Sequence, residues 1–163
     1  MRHRAWIGLG SNLDQPRQQV LTALDDLAGL PLTTLKARSS LYSSRPVGPQ
    51  DQPDFINAVA MLETLLSPLA LLDQLQALEQ RHRRVRKYHW GPRTLDLDLL
   101  LYDDRVLDLP RLVVPHPWLA ERAFVVQPML ELAPQLCLPD GQPLSQLSAS
   151  APSNDLKRLS LSP

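Results

Sequence analysis

Cysteine is all but missing from this chain. Cys137 is the one thiol in 163 residues, which excludes an internal disulfide and fits a reducing compartment. Net charge is missing too, since 17 Lys and Arg offset 17 Asp and Glu. A general nucleic-acid binder carries an excess of positive charge, so no nucleic-acid partner is expected, although a local basic site remains open. Long apolar runs are absent. The run that follows the basic opening Met1-Arg2-His3-Arg4 stops at Asn12. That is too short for the core of a signal peptide or for a membrane span, so the expected location is cytoplasmic, with no membrane partner. No Gly-x-x-x-x-Gly-Lys-Ser/Thr occurs, which excludes a P-loop kinase. Gly8-Leu9-Gly10-Ser11-Asn12 lacks the third glycine of a dinucleotide fingerprint, Leu13 standing in its place, and reads better as a tight strand-to-helix turn. No internal repeat is present. The length suits one domain with a full core over residues 1–163, and the 16 prolines, about twice the usual share of roughly 5%, fall between elements as loop punctuation.

The densest chemistry lies in the middle. In Trp90-Gly91-Pro92-Arg93-Thr94-Leu95-Asp96-Leu97-Asp98-Leu99-Leu100-Leu101-Tyr102 the second half alternates. On a strand, Thr94, Asp96 and Asp98 share one face and Leu95, Leu97 and Leu99 the other. Two carboxylates on one face stand roughly 6.6 Å apart at Cα, and each raises the other's pKa unless a cation cancels them. A hard divalent ion with oxygen ligands is the usual canceller. Upstream, Arg81-His82-Arg83-Arg84-Val85-Arg86-Lys87 carries five permanent cations in seven positions. Taken separately, an Asp-x-Asp is often the solvated face of an edge strand, and a basic run is often a solvated helix end. Their adjacency points instead to a polyphosphate carried on magnesium. Trp90, between them in a Gly-Pro loop, is placed to stack on a flat ring.

The rest of the chain supplies a frame. Arg4 to Leu9 reads as a strand ending at Gly10. A helix follows from Pro16, with Val20, Leu21, Leu24, Leu27 and Ala28 at helical spacing and Gly29 closing it. Leu32 to Tyr42 reads as a second strand, and Ser43 to Pro53 as a long loop of the kind that carries function. Asp54 to Leu65 alternates again, with Phe55, Asn57, Val59, Met61 and Glu63 on one face. Asn57 there is either a satisfied amide near a strand end or a reader of a heterocycle edge. Ser67-Pro68 opens a second helix with the stripe Leu71, Leu72, Leu75, Leu78. Gln76, Glu79 and Arg83 lie along another side, where Glu79 suits an i,i+4 pairing with Arg83. Strand, helix, strand, strand, helix, strand is the order of a ferredoxin-like βαββαβ core. The expected fold is therefore α+β, an antiparallel sheet with helices packed on one face, plus a C-terminal extension. In that extension Asp103-Asp104-Arg105 reads as a turn, Val106-Leu107 as a short strand, Leu109 to Pro115 as extended, and Phe124 to Leu132 as a helix interrupted by Pro128. The polar stretch from Ser148, and residues 150–163 in particular, reads as a loosely held tail.

Arg84-Val85-Arg86-Lys87 followed by Trp90-Gly91-Pro92-Arg93-Thr94-Leu95-Asp96-Leu97-Asp98 resembles the signature of the 6-hydroxymethyl-7,8-dihydropterin pyrophosphokinase family of folate biosynthesis. The resemblance runs from Gly10-Ser11-Asn12-Leu13 through Gly48-Pro49-Gln50-Asp51-Gln52-Pro53-Asp54-Phe55-Ile56-Asn57, Val114-Pro115-His116 and Arg122-Ala123-Phe124 to Pro139-Asp140-Gly141. It implies an enzyme that moves pyrophosphate from ATP to the hydroxymethyl group of the dihydropterin and releases AMP, as a likeness in partners as well as in chemistry. By the same resemblance Asp96 and Asp98 would bind two magnesium ions. Gln76, Glu79, Arg84, Arg86, Trp90, Arg93, Leu99, Arg111, His116 and Arg122 would serve ATP, and Ser44, Val47, Phe55, Asn57, Trp90, Asp96 and Phe124 the pterin. Arg84, Arg93, Asp96 and Asp98 would form the catalytic set in a monomer. Phe55 stands where the family commonly has tyrosine, Ser44-Arg45 where it has Thr-Pro, and Pro117 follows His116 where an aromatic can occur.

Two other classes share part of this pattern. An RNA-binding module on a ferredoxin-like sheet would show aromatics on its central strands, where this chain has Asp96 and Asp98. A metal-dependent phosphoesterase would share the carboxylates but act without a pterin.

Overall fold

A nine-residue strand, β1 (His3–Ser11), is the spine of the sheet. Every residue from Ala5 on is buried, because both faces of the strand are covered. Ala5, Ile7 and Leu9 enter one apolar cluster and Trp6 the other. The strand continues through Gly10 to Ser11, so the glycines expected at a turn lie inside it. Along one edge β1 pairs antiparallel with β4 (Phe55–Thr64) over its full length, and along the other with β5 (Asp96–Tyr102). The computed structural model describes residues 2–13, 15–45, 53–84, 95–148 and 156–159.

Beyond β4 lie two short strands, β2 (Thr33–Arg38) and β3 (Tyr42–Ser44), both antiparallel to it. The single strand expected over residues 32–42 is thus broken, and Ser39 shows why. Its hydroxyl accepts the Val59 N–H at 2.9 Å while its own N–H reaches the Val59 carbonyl at 2.8 Å. A side chain replaces one rung of the ladder and the chain leaves the sheet plane. The four-strand order β5-β1-β4-β2 with its two intervening helices is the ferredoxin-like arrangement.

Helix α1 (Pro16–Ala28) has proline in its first turn, and its end is closed by the Gly29 N–H on the Asp26 carbonyl and the Leu30 N–H on the Leu27 carbonyl. Helix α2 (Pro68–Arg84) is capped by Ser67 Oγ, which accepts the Ala70 N–H at 3.2 Å. Val20, Leu24 and Leu27 of α1 and Leu71, Leu75 and Leu78 of α2 are buried with Ala58, Ala60 and Leu62 of β4. Both helices therefore cover one face, as their apolar stripes require. His82 joins the two, its ring nitrogens 2.5 Å from Gln19 Oε1 and 3.2 Å from Asp26 Oδ2.

The extension serves both faces, with Leu112 and Val114 in the helix-side core and Val125, Val126 and Met129 in the cluster on the opposite face. A hairpin of β6 (Leu107–Leu109) and β7 (Leu112–Val114) occupies the stretch expected to run extended. A 3-10 turn (Leu119–Glu121) leads into α3 (Ala123–Leu132). Pro128 does not interrupt α3. It lies buried within the helix beside Val126 and Met129, and packing on the sheet offsets the backbone hydrogen bond that proline cannot donate. A short α4 (Leu144–Ser148) packs beside it. Residues 156–159 also differ from expectation. Lys157–Arg158 form β8, which pairs with the outer edge of β3, and the Leu159 N–H donates to the Leu41 carbonyl at 2.8 Å.

Candidate active site

The two faces of β5 are used differently. Leu95, Leu97 and Leu99 enter the core under the helices, which turns Asp96 and Asp98 to the opposite face, as the alternation predicts. A register shift between Trp6 and Ile7 of β1 leaves Leu100 as an extra residue on β5. Leu100 and Leu101 then both pack under α3, so the apolar part of this face begins where the carboxylates end.

Across the sheet the pairing forms two rows. Asn57, Gly10 and Asp96 stand abreast on β4, β1 and β5, and so do Val59, Gly8 and Asp98. Neighbouring strands lie about 4.8 Å apart, so the amide and carboxylate of the first row are roughly 9.5 Å apart at Cα. Between them glycine leaves an open floor. A Cβ on Gly10 would stand 3.3 Å from Asn57 Nδ2, so only glycine leaves that amide its room. Over this floor is a cavity of about 240 Å³ lined by Gly8, Gly10, Ser44, Arg45, Phe55, Asn57, Asp96, Asp98, Arg122, Phe124 and Val125. Ser44, Phe55 and Asn57 come from β3 and β4; Phe124 comes from the start of α3. The Arg122 guanidinium lies 5.7 Å from the Phe124 ring centre.

Asn57 is 4% exposed, and its Oδ1 accepts the Ser44 hydroxyl at 2.7 Å. The bond fixes the amide, with Nδ2 on the Gly10 side. The two readings of Asn57 are therefore compatible. One half of the amide is satisfied internally, and the other borders the cavity as a donor for a ring carbonyl or ring nitrogen.

A second recess, about 300 Å³, adjoins on the far side of β5. Leu72, Leu97, Asp98, Leu99, Arg111, Val113, His116 and Pro117 line it. Asp98 belongs to both. Arg111 is held there by Asp73 Oδ1 at 2.6 Å and by Gln76 Oε1 at 3.1 Å. His116 Nδ1 accepts the Trp118 N–H at 3.2 Å, and Nε2 lies 3.9 Å from Asp98 Oδ1. Burial holds this imidazole below its usual pKa, and Arg122 adds to that against the pull of Asp98. With Nδ1 accepting, the neutral ring carries its proton on Nε2, the nitrogen 3.9 Å from Asp98 Oδ1.

Glu79 reaches β5; the side chain of Arg83, its i,i+4 neighbour, lies outside the described residues. The Glu79 Oε2 accepts the Leu97 N–H at 2.9 Å. That N–H points away from β1 on the sheet's edge, and the carboxylate from α2 satisfies it between the two aspartates. The remaining expectations fall at the limits of the described residues. Val47, Arg86, Trp90 and Arg93 lie outside them, as does the side chain of Arg84 at the end of α2. The sequence reading noted Gly8, Gly10 and Arg45 only within motifs, not as site residues, and did not single out Asp73. The two glycines were detectable, since they share the alternation that places Trp6 opposite Ile7; Asp73 and Arg45 carry no such signal.

A sheet that joins two ligand-sized recesses at one shared carboxylate suits an enzyme that brings two substrates together, rather than a module with one occupant. Residues 6–134 match the 7,8-dihydro-6-hydroxymethylpterin-pyrophosphokinase (HPPK) family, and the chain belongs to that family. The 2-amino-4-hydroxy-6-hydroxymethyldihydropteridine pyrophosphokinase of Pseudomonas aeruginosa is 54% identical over 159 residues, covering 98% of both chains. Its Haemophilus influenzae counterpart is 50% identical over 143 residues, 88% of this chain and 89% of that one. Among solved structures, a Plasmodium falciparum HPPK-DHPS triple mutant with pteroate has the same fold, with a TM-score of 0.73 at 14% identity over 97% of this chain. This chain spans about half of that longer one, 47%.

Proposed function

We propose that this chain transfers the terminal pyrophosphoryl group of ATP to the hydroxymethyl oxygen of 6-hydroxymethyl-7,8-dihydropterin, in folate biosynthesis. The oxygen attacks the β-phosphorus, the bond from that phosphorus to the α-phosphate oxygen breaks, and AMP leaves. The observation that carries this reading is Asp98 lining both recesses; the two substrates would meet there, on either side of one carboxylate. The pterin takes the glycine-floored cavity. Phe55 and Phe124 supply apolar ring faces, and Asn57 and Asp96 face its polar edges. ATP takes the recess beside Leu99, where Arg111 and His116 stand at its rim. Such transfers depend on positioning and charge neutralisation more than on covalent chemistry.

The donor set suits magnesium. Asp96 and Asp98 are hard oxygen donors on one face, and among the described residues no group of three His, Cys, Asp or Glu could hold a metal ion. Two carboxylates with further positions left to water and phosphate match the way magnesium binds beside nucleotides. Asp96 and Asp98 would hold two such ions, which when bound neutralise the triphosphate and orient it. His116 donates from Nε2 toward the nucleotide side of Asp98. By the family resemblance Arg84 and Arg93 would offset charge that grows between the β-phosphate and AMP, Gln76, Arg86 and Trp90 would serve the nucleotide and Ser44 and Val47 the pterin, while Arg122, expected to serve ATP, lines the glycine-floored cavity. Among the described residues no helix is long and apolar enough to cross a membrane, and the reading places the enzyme in the cytoplasm.

The test is a product assay with ATP, magnesium and 6-hydroxymethyl-7,8-dihydropterin, with the nucleotides separated afterwards. AMP that forms only when the pterin is present is the expected result. ADP in its place, or nucleotide release without pterin, overturns the reading.

A further inference from the structure

We propose that Glu131 and Arg158 form a brace that sets the separation of the two walls of the pterin cavity, making them positioning residues for that substrate. This rests on the functional reading above. One wall is the sheet, with Ser44, Phe55 and Asn57; the other is the start of α3, with Phe124. A flat ring held between aromatic faces tolerates little error in their spacing, because dispersion contacts weaken steeply with a gap of even 0.5–1 Å, roughly.

Three observations point to Glu131 as the fastener. It lies near the end of α3, two turns beyond Phe124 on the same rigid element. Its side chain is 18% exposed and gathers donors from the segment that leads into β3. The Ser40 N–H donates to both oxygens at 3.1 and 3.0 Å, the Ser40 hydroxyl at 3.0 Å, and the Tyr42 hydroxyl at 2.7 Å. α3 is thereby pinned to the strand that carries Ser44, and Ser44 in turn fixes Asn57.

The second half of the brace comes from the tail. β3 has three residues, too few to hold its place by one ladder alone. β8 closes its outer edge, setting Arg158 opposite Tyr42 and Lys157 opposite Ser43. Arg158 then reaches inward, with Nε donating to Ser40 Oγ at 3.0 Å and Nη2 lying 3.4 Å from Glu131 Oε2. Its charge balances a carboxylate that would otherwise be largely buried alone. Neither Glu131 nor Arg158 lines the cavity, so both act through the residues that do.

The test uses full-length Arg158→Ala, Arg158→Lys and Glu131→Gln enzymes, with KM measured for each substrate separately and melting curves as a check on folding. Arg158→Ala and Glu131→Gln are expected to raise the KM for the pterin about tenfold while the KM for ATP and kcat stay within about twofold. Arg158→Lys, which keeps the charge but loses the fork, is expected to restore most of the pterin affinity. A brace that only stabilised the fold would move both KM values together or neither, and either result overturns the proposal. Wild-type enzyme that forms no AMP overturns the functional reading itself; wild-type turnover with an unmoved pterin KM in Arg158→Ala overturns this inference alone.

Discussion

Asp98 lies at the only point shared by the two recesses among the described cavities, so its loss acts on both substrates at once. Asp98→Ala is expected to lower the rate of AMP formation at saturating substrate by about a thousandfold or more, the scale of losing electrostatic stabilisation of a transferring group. The side chain is 42% exposed and its removal opens no core, so the melting temperature should stay near that of the wild type. Near-normal turnover with magnesium present would show that the metal assignment is wrong. Gly10 makes the opposite kind of prediction, because there an added atom does the damage. A methyl group at Gly10 meets Asn57 Nδ2 at 3.3 Å and forces the amide off the line set by Ser44. Gly10→Ala should raise the KM for the pterin, by about tenfold for one displaced hydrogen bond in a buried site, and leave the KM for ATP unmoved. Equal changes in both would mean that the glycine serves the sheet rather than the ring.

The elements differ in how well the sequence announced them. β1, β4 and β5 were legible because both sides of the sheet carry a load; alternation then assigns each residue to a face. That assignment held for Phe55, Asn57 and Val59, and for Asp96 and Asp98 against Leu95, Leu97 and Leu99. The break between β2 and β3 was not legible. It depends on one hydroxyl, Ser39, meeting Val59 twenty residues away. The hairpin of β6 and β7 was only partly legible: Val106-Leu107 reads as a short strand and Leu109 to Pro115 as extended, but three-residue strands are too short to show how they pair. Glu79 shows the limit most clearly. Helical spacing shows neighbours only along its own helix, and the fold brings it the outward N–H of Leu97. Glu79→Ala leaves that buried donor without its acceptor and should cost about 1–3 kcal/mol of stability, read as a lower urea midpoint. Glu79→Gln keeps an acceptor oxygen and should recover most of the loss. If both variants were as stable as the wild type, the contact would have no part in holding β5.

At the scale of the whole molecule, two carboxylates tie distant parts of the chain together, and both make its stability depend on acid. Asp103 accepts the Arg4 N–H at 2.7 Å and lies 2.6 Å from His3 Nδ1, fastening the end of β5 to the start of β1. Glu131 fastens α3 to β3 and β8. Burial by itself would raise both pKa values. The bonds from Arg4 and His3, with the charges of His3 and Arg105, outweigh it at Asp103; those from Tyr42 and Ser40, with the charge of Arg158, outweigh it at Glu131. Each group is therefore held below its ordinary value of 3.8 or 4.5. A carboxyl whose pKa is lowered on folding contributes stability that is present above the unfolded value and is lost as pH falls through the folded one. These long-range ties were the least legible part of the sequence, because Asp103 meets Arg4 and Glu131 meets Ser40, partners about ninety or more residues away. Comparison of the wild type with Asp103→Asn, by urea unfolding from about pH 7 down to about pH 3, tests the linkage. The variant should unfold at lower urea at neutral pH, and the gap should close as the wild-type carboxyl takes up its proton. A gap that persists unchanged at the acid end would mean that the charge on Asp103 contributes nothing, and that its hydrogen bonds to Arg4 and His3 act by geometry alone.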